Sequence, residues 1–133
     1  MDISCIQPPD MAPAGGHYSP AVVGGGMAWV AGQLPIDASG RKLGDQPFEV
    51  QARQVLANVE AALRAAGTSP DRLLQVRVYL VNIDDWPAFN TLYAQWLGPH
   101  RPARAVVPVP ALHFGLQLEV EAVALMPAPR SQP

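Results

Sequence analysis

Cysteine is nearly missing from this chain of 133 residues: Cys5 is the single thiol, so no disulfide can form within the chain. Its neighbours supply neither a second thiol nor a positive charge, and nothing marks it as a reactive nucleophile. Long apolar runs are missing too. No stretch reaches the length of a membrane span, and the first residues do not follow the basic-then-apolar order of a secretion signal, so the expected location is cytoplasmic. Positive charge is in short supply, with 9 Lys and Arg against 11 Asp and Glu and a net charge of −2. A protein that grips a nucleic-acid backbone displaces counterions with a basic surface, so small molecules or proteins are the expected partners and nucleic acid is not.

Several chemical signatures are absent as well. His17, His100 and His113 lack metal-ligand spacing, and no cysteine stands beside them, so no metal site is expected. Ser19 and Ser39 sit in no nucleophile motif. The run Gly24-Gly25-Gly26 leads into a strand-like segment, whereas a phosphate-binding loop would lead into a helix and a lysine.

What the chain does have is regular patterning suited to one domain with a core of its own. Residues 1–16 mix proline, glycine and alanine without a period and read as a flexible lead-in, with a single domain over 17–127 and a tail over 128–133. Tyr18 to Val23 and Met27 to Ala31 read as strands of a hairpin, and Gly32 closes the second as a bulge or a close backbone approach. Asp45 reads as the N-cap of a helix running to Ala66, with Val55, Leu56, Val59 and Leu63 on its apolar stripe and Gly67 as its stop. Leu74, Val76, Val78 and Leu80 alternate with Gln75, Arg77 and Tyr79 as a strand.

Asp84 reads as the cap of a second helix that buries Phe89, Leu92, Tyr93 and Trp96 and leaves Asn90 to solvent. Pro102 to Pro110 and Leu116 to Ala122 read as two further strands. The turn between them suggests that Arg104 and Glu119 share one sheet face. On spacing alone they read as ordinary solvated charges. The order strand, strand, helix, strand, helix, strand, strand suits an α+β domain with both helices on one face of a mixed sheet. The other face would carry Arg77, Tyr79, Gln117, Glu119 and Glu121 with Val123 and Leu125, a surface suited to self-association. Trp29, Trp86 and Trp96 are expected in the core or in an interface.

Six segments together resemble one family. They are His17-Tyr18-Ser19-Pro20-Ala21-Val22, Val30-Ala31-Gly32-Gln33-Leu34-Pro35, Asn58 through Gly67, Asn90-Thr91-Leu92-Tyr93, Pro102-Ala103-Arg104 and Leu118-Glu119-Val120-Glu121-Ala122. In this order they resemble the RidA (YjgF-like) reactive-intermediate deaminases, over roughly Gly16 to Met126.

The resemblance implies a chorismate-mutase-like fold and a homotrimer with sites in the clefts between subunits. It implies hydrolysis of 2-enamine and 2-imine acids, of the 2-aminoacrylate and 2-iminopropanoate type, to 2-oxo acids and ammonia, without a metal or organic cofactor. Arg104 would bind the substrate carboxylate with its planar fork, and Glu119 would handle the attacking water and the departing nitrogen. Gly32 would present its backbone to the substrate, Tyr18 would line the pocket and Asn90 would lie close by. A non-catalytic carboxylate- or protein-binding trimer is the alternative reading, and a ribonuclease or translation inhibitor is the third. Two departures bear on substrate. Ala105 and Val106 follow the arginine where a serine and then a small or thiol-bearing residue are common, and the loop from Val107 to Gly115 adds His113 and Phe114, which suits a different or bulkier substrate.

Overall fold

The computed structural model describes residues 2–128, so the tail expected over 128–133 lies outside the described residues apart from its first. Six strands form one sheet: β1 (Ser4–Ile6), β2 (Ala21–Gly24), β3 (Met27–Gln33), β4 (Leu73–Leu80), β5 (Ala103–Pro108) and β6 (Leu118–Leu125). Their spatial order is β1-β2-β3-β6-β4-β5. β5 runs parallel to β4, and every other pairing is antiparallel. Helices α1 (Phe48–Ala66) and α2 (Trp86–Leu97) pack against one face, which gives the α+β, chorismate-mutase-like arrangement.

The alternation in β4 and β6 decides which face is buried. Val76, Val78, Leu80, Leu118 and Val120 are all fully buried against Val55, Val59 and Leu63 of α1 and Phe89 of α2. The opposite face carries Trp29, Arg77, Tyr79, Glu121, Val123 and Leu125, and Trp29 is 46% exposed there. Glu121 accepts a short hydrogen bond from the Tyr79 hydroxyl and lies 3.9 Å from the Arg77 guanidinium, so the open face has a polar cluster at its centre. No described element covers this face.

Several expectations are corrected by the structure. The lead-in contains β1, which adds to the free edge of β2; a three-residue strand is too short to show a period. Asp45 does not cap α1, whose N-cap position is Pro47 without a side-chain bond. Asp45 instead accepts two bonds from Arg41 Nη2, at 3.0 and 3.2 Å, and a third from Gln46 Nε2 at 3.4 Å. Asp84 does not cap α2 either. A 3₁₀ turn over Ile83–Asp85 comes first, and Asn82 caps it by accepting from the Asp84 N–H. Leu74 is 44% exposed because the β4–β6 register shifts between Leu73 and Gln75, which moves it off the buried face. β6 begins at Leu118, and the N–H of Gln117 donates to Gln51 of α1.

The β2–β3 hairpin forms as its glycines suggest, with Gly25 at φ 61° and Gly26 at φ 78° between paired Gly24 and Met27. Gly67 ends α1 in the left-handed region at φ 97°. Further along, Asn58 of α1 donates to the carbonyls of Leu34 and Ile36 at 3.1 and 2.9 Å, tying the segment after β3 to the helix layer.

Candidate functional site

Arg104 takes its direction from β5. Its register partner on β4 is Val76, fully buried beneath the helices, and paired residues point to the same side, so the arginine leaves the sheet on the helix face. Helix α2 meets it there. Nη1 donates to Asn90 Oδ1 at 3.1 Å, and the guanidinium carbon lies 4.5 Å from the Trp86 ring centroid and 4.8 Å from that of Tyr93. Trp86, Asn90 and Tyr93 stand at i, i+4 and i+7, so a single helical stripe makes all three contacts.

This arginine enters none of the ion pairs among the described residues. With one donor committed to Asn90, the remaining N–H groups are free to take an external anion. Burial pushes the Tyr93 hydroxyl up to about 12, against the opposing charge of Arg104, so the phenol stays protonated. A cavity of about 380 Å³ lies alongside, lined by Asn90, Tyr93 and Arg104 with His100 and Arg101.

Glu119 belongs to the other face. It pairs with Tyr79 of β4 and stands between fully buried Leu118 and Val120, so alternation sends its side chain to the uncovered side. The carboxylate presses on the backbone of Gly32, and a β-carbon on that glycine would fall 2.7 Å from Glu119 Oε2. Any side chain at position 32 would displace the carboxylate. The β3–β6 register shift between Val30 and Gln33 brackets this glycine, so the expected bulge is present, and the group that approaches its backbone is the Glu119 side chain. Burial raises the Glu119 pKa above the usual carboxylate range; His113 opposes the rise and Glu121 adds to it. The carboxylate enters none of the ion pairs among the described residues.

A second cavity, about 440 Å³, opens beside Gly32 and is also lined by Tyr18, Lys42, His113 and Phe114. Tyr18 is 53% exposed. Among the described residues Phe114 is the one non-glycine with positive φ, at 60°, and Lys42 Nζ lies 4.3 Å from its ring centroid.

The five candidate residues therefore fall into two groups. Arg104 and Asn90 lie on the helix side of the sheet, while Tyr18, Gly32 and Glu119 gather at the end of β3 and on the open face. The expectation that Arg104 and Glu119 share one face is corrected. The sequence between them does not form a hairpin, because β5 pairs in parallel with β4 and β4 separates it from β6. Sequence reasoning also missed Trp86 and Tyr93 as neighbours of the arginine. The spacing that places them with Asn90 is visible in the sequence, but the apolar stripe reads Tyr93 wholly as core, and only the family resemblance draws Asn90 toward the site.

Comparison with known proteins adds a further finding. The family model described as Endoribonuclease L-PSP matches residues 9–126. A RutC family protein of Pyrococcus horikoshii is 38% identical over 109 residues, 82% of this chain and 86% of its own length. The crystal structure of RidA from the Antarctic bacterium Psychrobacter sp. superposes with a TM-score of 0.87 at 32% identity, covering 92% of this chain and 99% of that one. The crystal structure of E. coli TdcF with bound serine gives a TM-score of 0.87 at 30% identity, covering 93% and 99%.

Proposed function

The chain belongs to the RidA (YjgF-like), or endoribonuclease L-PSP, family, and on that premise we propose that it hydrolyses reactive 2-imino and 2-enamino acids to 2-oxo acids and ammonia in the cytoplasm. The observation that carries this reading is the pair of unpaired, oppositely charged groups, Arg104 and Glu119, each held in place by its own neighbours. One suits a carboxylate and the other suits a water molecule.

In the proposed reaction Arg104 takes the substrate carboxylate through two charge-assisted hydrogen bonds, while Asn90 and the rings of Trp86 and Tyr93 fix the guanidinium plane. Glu119 accepts a proton from water as the oxygen attacks the iminium carbon. The proton then passes to the nitrogen, Glu119 takes the hydroxyl proton as the C–N bond breaks, and ammonia leaves as the carbonyl forms and carries that proton away as ammonium, restoring the carboxylate. An enamine first takes a proton at its terminal carbon to give the same iminium. A raised pKa makes Glu119 a stronger base once it is ionised, which suits this cycle. The iminium is already electrophilic, so orientation supplies much of the acceleration, and the cycle uses no metal or organic cofactor.

Because the two groups leave opposite faces of one sheet, two copies must supply one site: Arg104 and Asn90 from one, and Tyr18, Gly32 and Glu119 from the next. A contact of this kind joins different surfaces and closes as a ring, and the proposed ring is a homotrimer with three inter-subunit sites. The uncovered sheet face, with exposed Trp29, Val107 and Leu125, supports such an assembly. The ribonuclease reading is disfavoured by Glu119 and Glu121 on that face, where phosphate would meet negative charge.

The test is the rate of loss of 2-iminopropanoate, generated by an amino-acid oxidase and trapped with semicarbazide. Wild type should compete with the trap and Arg104→Ala should not. If neither competes, the reading becomes that of a carboxylate-binding trimer without chemistry.

A further inference from the structure

Phe114 combines two features that a chain without a ligand has little reason to keep. Its backbone sits at φ 60° and ψ 21°, in the left-handed region that disfavours residues with a β-carbon. The residue is nonetheless 61% exposed, so little burial against its own chain offsets that conformation. The ring is also held in position: Lys42 Nζ sits 4.3 Å from its centroid, and the His113 ring lies 5.9 Å away. Backbone strain that holds a side chain in the open is found where a ligand completes the environment.

The cavity that Phe114 borders measures about 440 Å³. Pockets of roughly 300–1,000 Å³ enclose drug-sized molecules, whereas the smallest substrate of the proposed reaction carries a single methyl group beyond its reacting carbon. Much of the wall is apolar, with Tyr18, Leu34, Ile36 and Phe114 contributing. The cavity adjoins the chemistry through one residue. Gly32 lines it, and the side of Gly32 where a β-carbon would stand faces the Glu119 carboxylate. Glu119 itself does not line the cavity, so a substituent on a carbon attacked beside Glu119 would reach this space past Gly32.

Resting on the deaminase reading of the site, we infer that the preferred substrate is a 2-imino acid with a large apolar side chain, aromatic ones included, seated in this cavity against Phe114. Phe114 is then a specificity-determining residue, and Tyr18 supplies another part of the wall. Within a pocket of this type one methylene changes selectivity by about 10- to 200-fold, so a whole phenyl ring gives a large effect.

The experiment compares kcat/KM for the imines derived from alanine and phenylalanine, in the trimer of the full chain, for wild type and Phe114→Gly. Glycine adopts the positive φ without strain, so this variant removes the ring without asking the backbone to change. Wild type should favour the phenyl-bearing imine by at least about tenfold, and the variant should lose at least about tenfold of that ratio. A wild-type preference for the methyl-bearing imine, or an unchanged ratio in the variant, overturns the inference while leaving the deaminase reading intact. A second arm measures binding of 3-phenyl-2-oxopropanoate and 2-oxopropanoate to wild type by calorimetry. If neither imine is consumed, the deaminase reading fails, and this arm still decides the cavity. Tighter binding of the phenyl-bearing acid by at least about tenfold supports it, and equal or absent binding overturns it.

Discussion

Glu119 occupies the space that a side chain at position 32 would fill: its Oε2 atom is 2.7 Å, and its Cδ atom 2.8 Å, from where a β-carbon on Gly32 would stand. The backbone there has no positive φ, so alanine is barred by the carboxylate and not by conformation. Gly32→Ala should therefore fold normally and push Glu119 aside. Turnover of 2-iminopropanoate is expected to fall about 10²-fold, the scale of a misplacement near 1 Å, with an unchanged circular dichroism spectrum. Full turnover in this variant would show that the position of Glu119 is immaterial.

Arginine and lysine at position 104 should behave differently. Arg104→Ala removes the whole of the proposed carboxylate clamp, and with charge-assisted bonds at about 1.5–3 kcal/mol each, kcat/KM should drop by about 10²–10⁴-fold. Arg104→Lys keeps the charge but loses the fork and the planar stacking on Trp86 and Tyr93, so it should recover only a small part of that loss. Steady-state kinetics on both variants separates charge from geometry.

Glu119 links activity to stability with opposite signs. Its folded-state pKa is raised by burial, so the folded state holds this proton more tightly than the unfolded chain does. The charge therefore costs stability as pH rises through the raised pKa, and the cost vanishes below the unfolded value. Glu119→Gln should melt at a higher temperature than wild type at neutral pH and at the same temperature or lower in acid. Turnover should fall by about 10²–10⁴-fold, and the acidic limb of the wild-type kcat profile should lie above the ordinary glutamate pKa. A profile that is flat through the mildly acidic range would remove Glu119 from the role of base.

Two inactive variants should rescue one another. If Arg104 and Glu119 of a site come from neighbouring copies, random mixing of Arg104→Ala with Glu119→Gln leaves about a quarter of the sites with both groups intact. Co-refolded mixtures should show that fraction of wild-type activity. Zero recovery, with mixed trimers verified by mass spectrometry, would place both groups of each site on one chain.

Asn58 braces the wall of the larger cavity from behind. It is buried, and its amide donates to the Leu34 and Ile36 carbonyls, so Asn58→Leu leaves those acceptors unmatched. A loss of roughly 1–3 kcal/mol in urea unfolding is expected, because buried polar groups without partners carry their full desolvation cost.

The alternation in β4 and β6, the stripe of α1 and the glycines of the first hairpin were all legible in the sequence, because each is a local pattern that the fold obeys. The helix starts were not. Asp45 and Asp84 have the chemistry of caps, but a partner at Arg41 and an intervening 3₁₀ turn claim them instead. Leu74 was misassigned because a bulge changes phase without changing composition. The relation between Arg104 and Glu119 was misread for a deeper reason. Whether two strands joined by a short segment form a hairpin depends on where β4 inserts, and nothing local to residues 104–119 records that.

The two halves of the site also differ in how far along the chain they reach. The side-chain contacts that hold the Arg104 guanidinium all lie in the continuous run from Trp86 to Arg104, and the strand that sets its direction, β4, ends only six residues before that run. Glu119 and Gly32 meet only when β6 closes against β3, across most of the domain. Contacts close in sequence cost less chain entropy to form, so the acid-binding half is expected to acquire its shape early in folding and the water-activating half late. During that interval the nascent protein would hold a carboxylate receptor before it holds a catalyst. Pulse-labelled hydrogen exchange should accordingly protect the amides of α2 before those of β3.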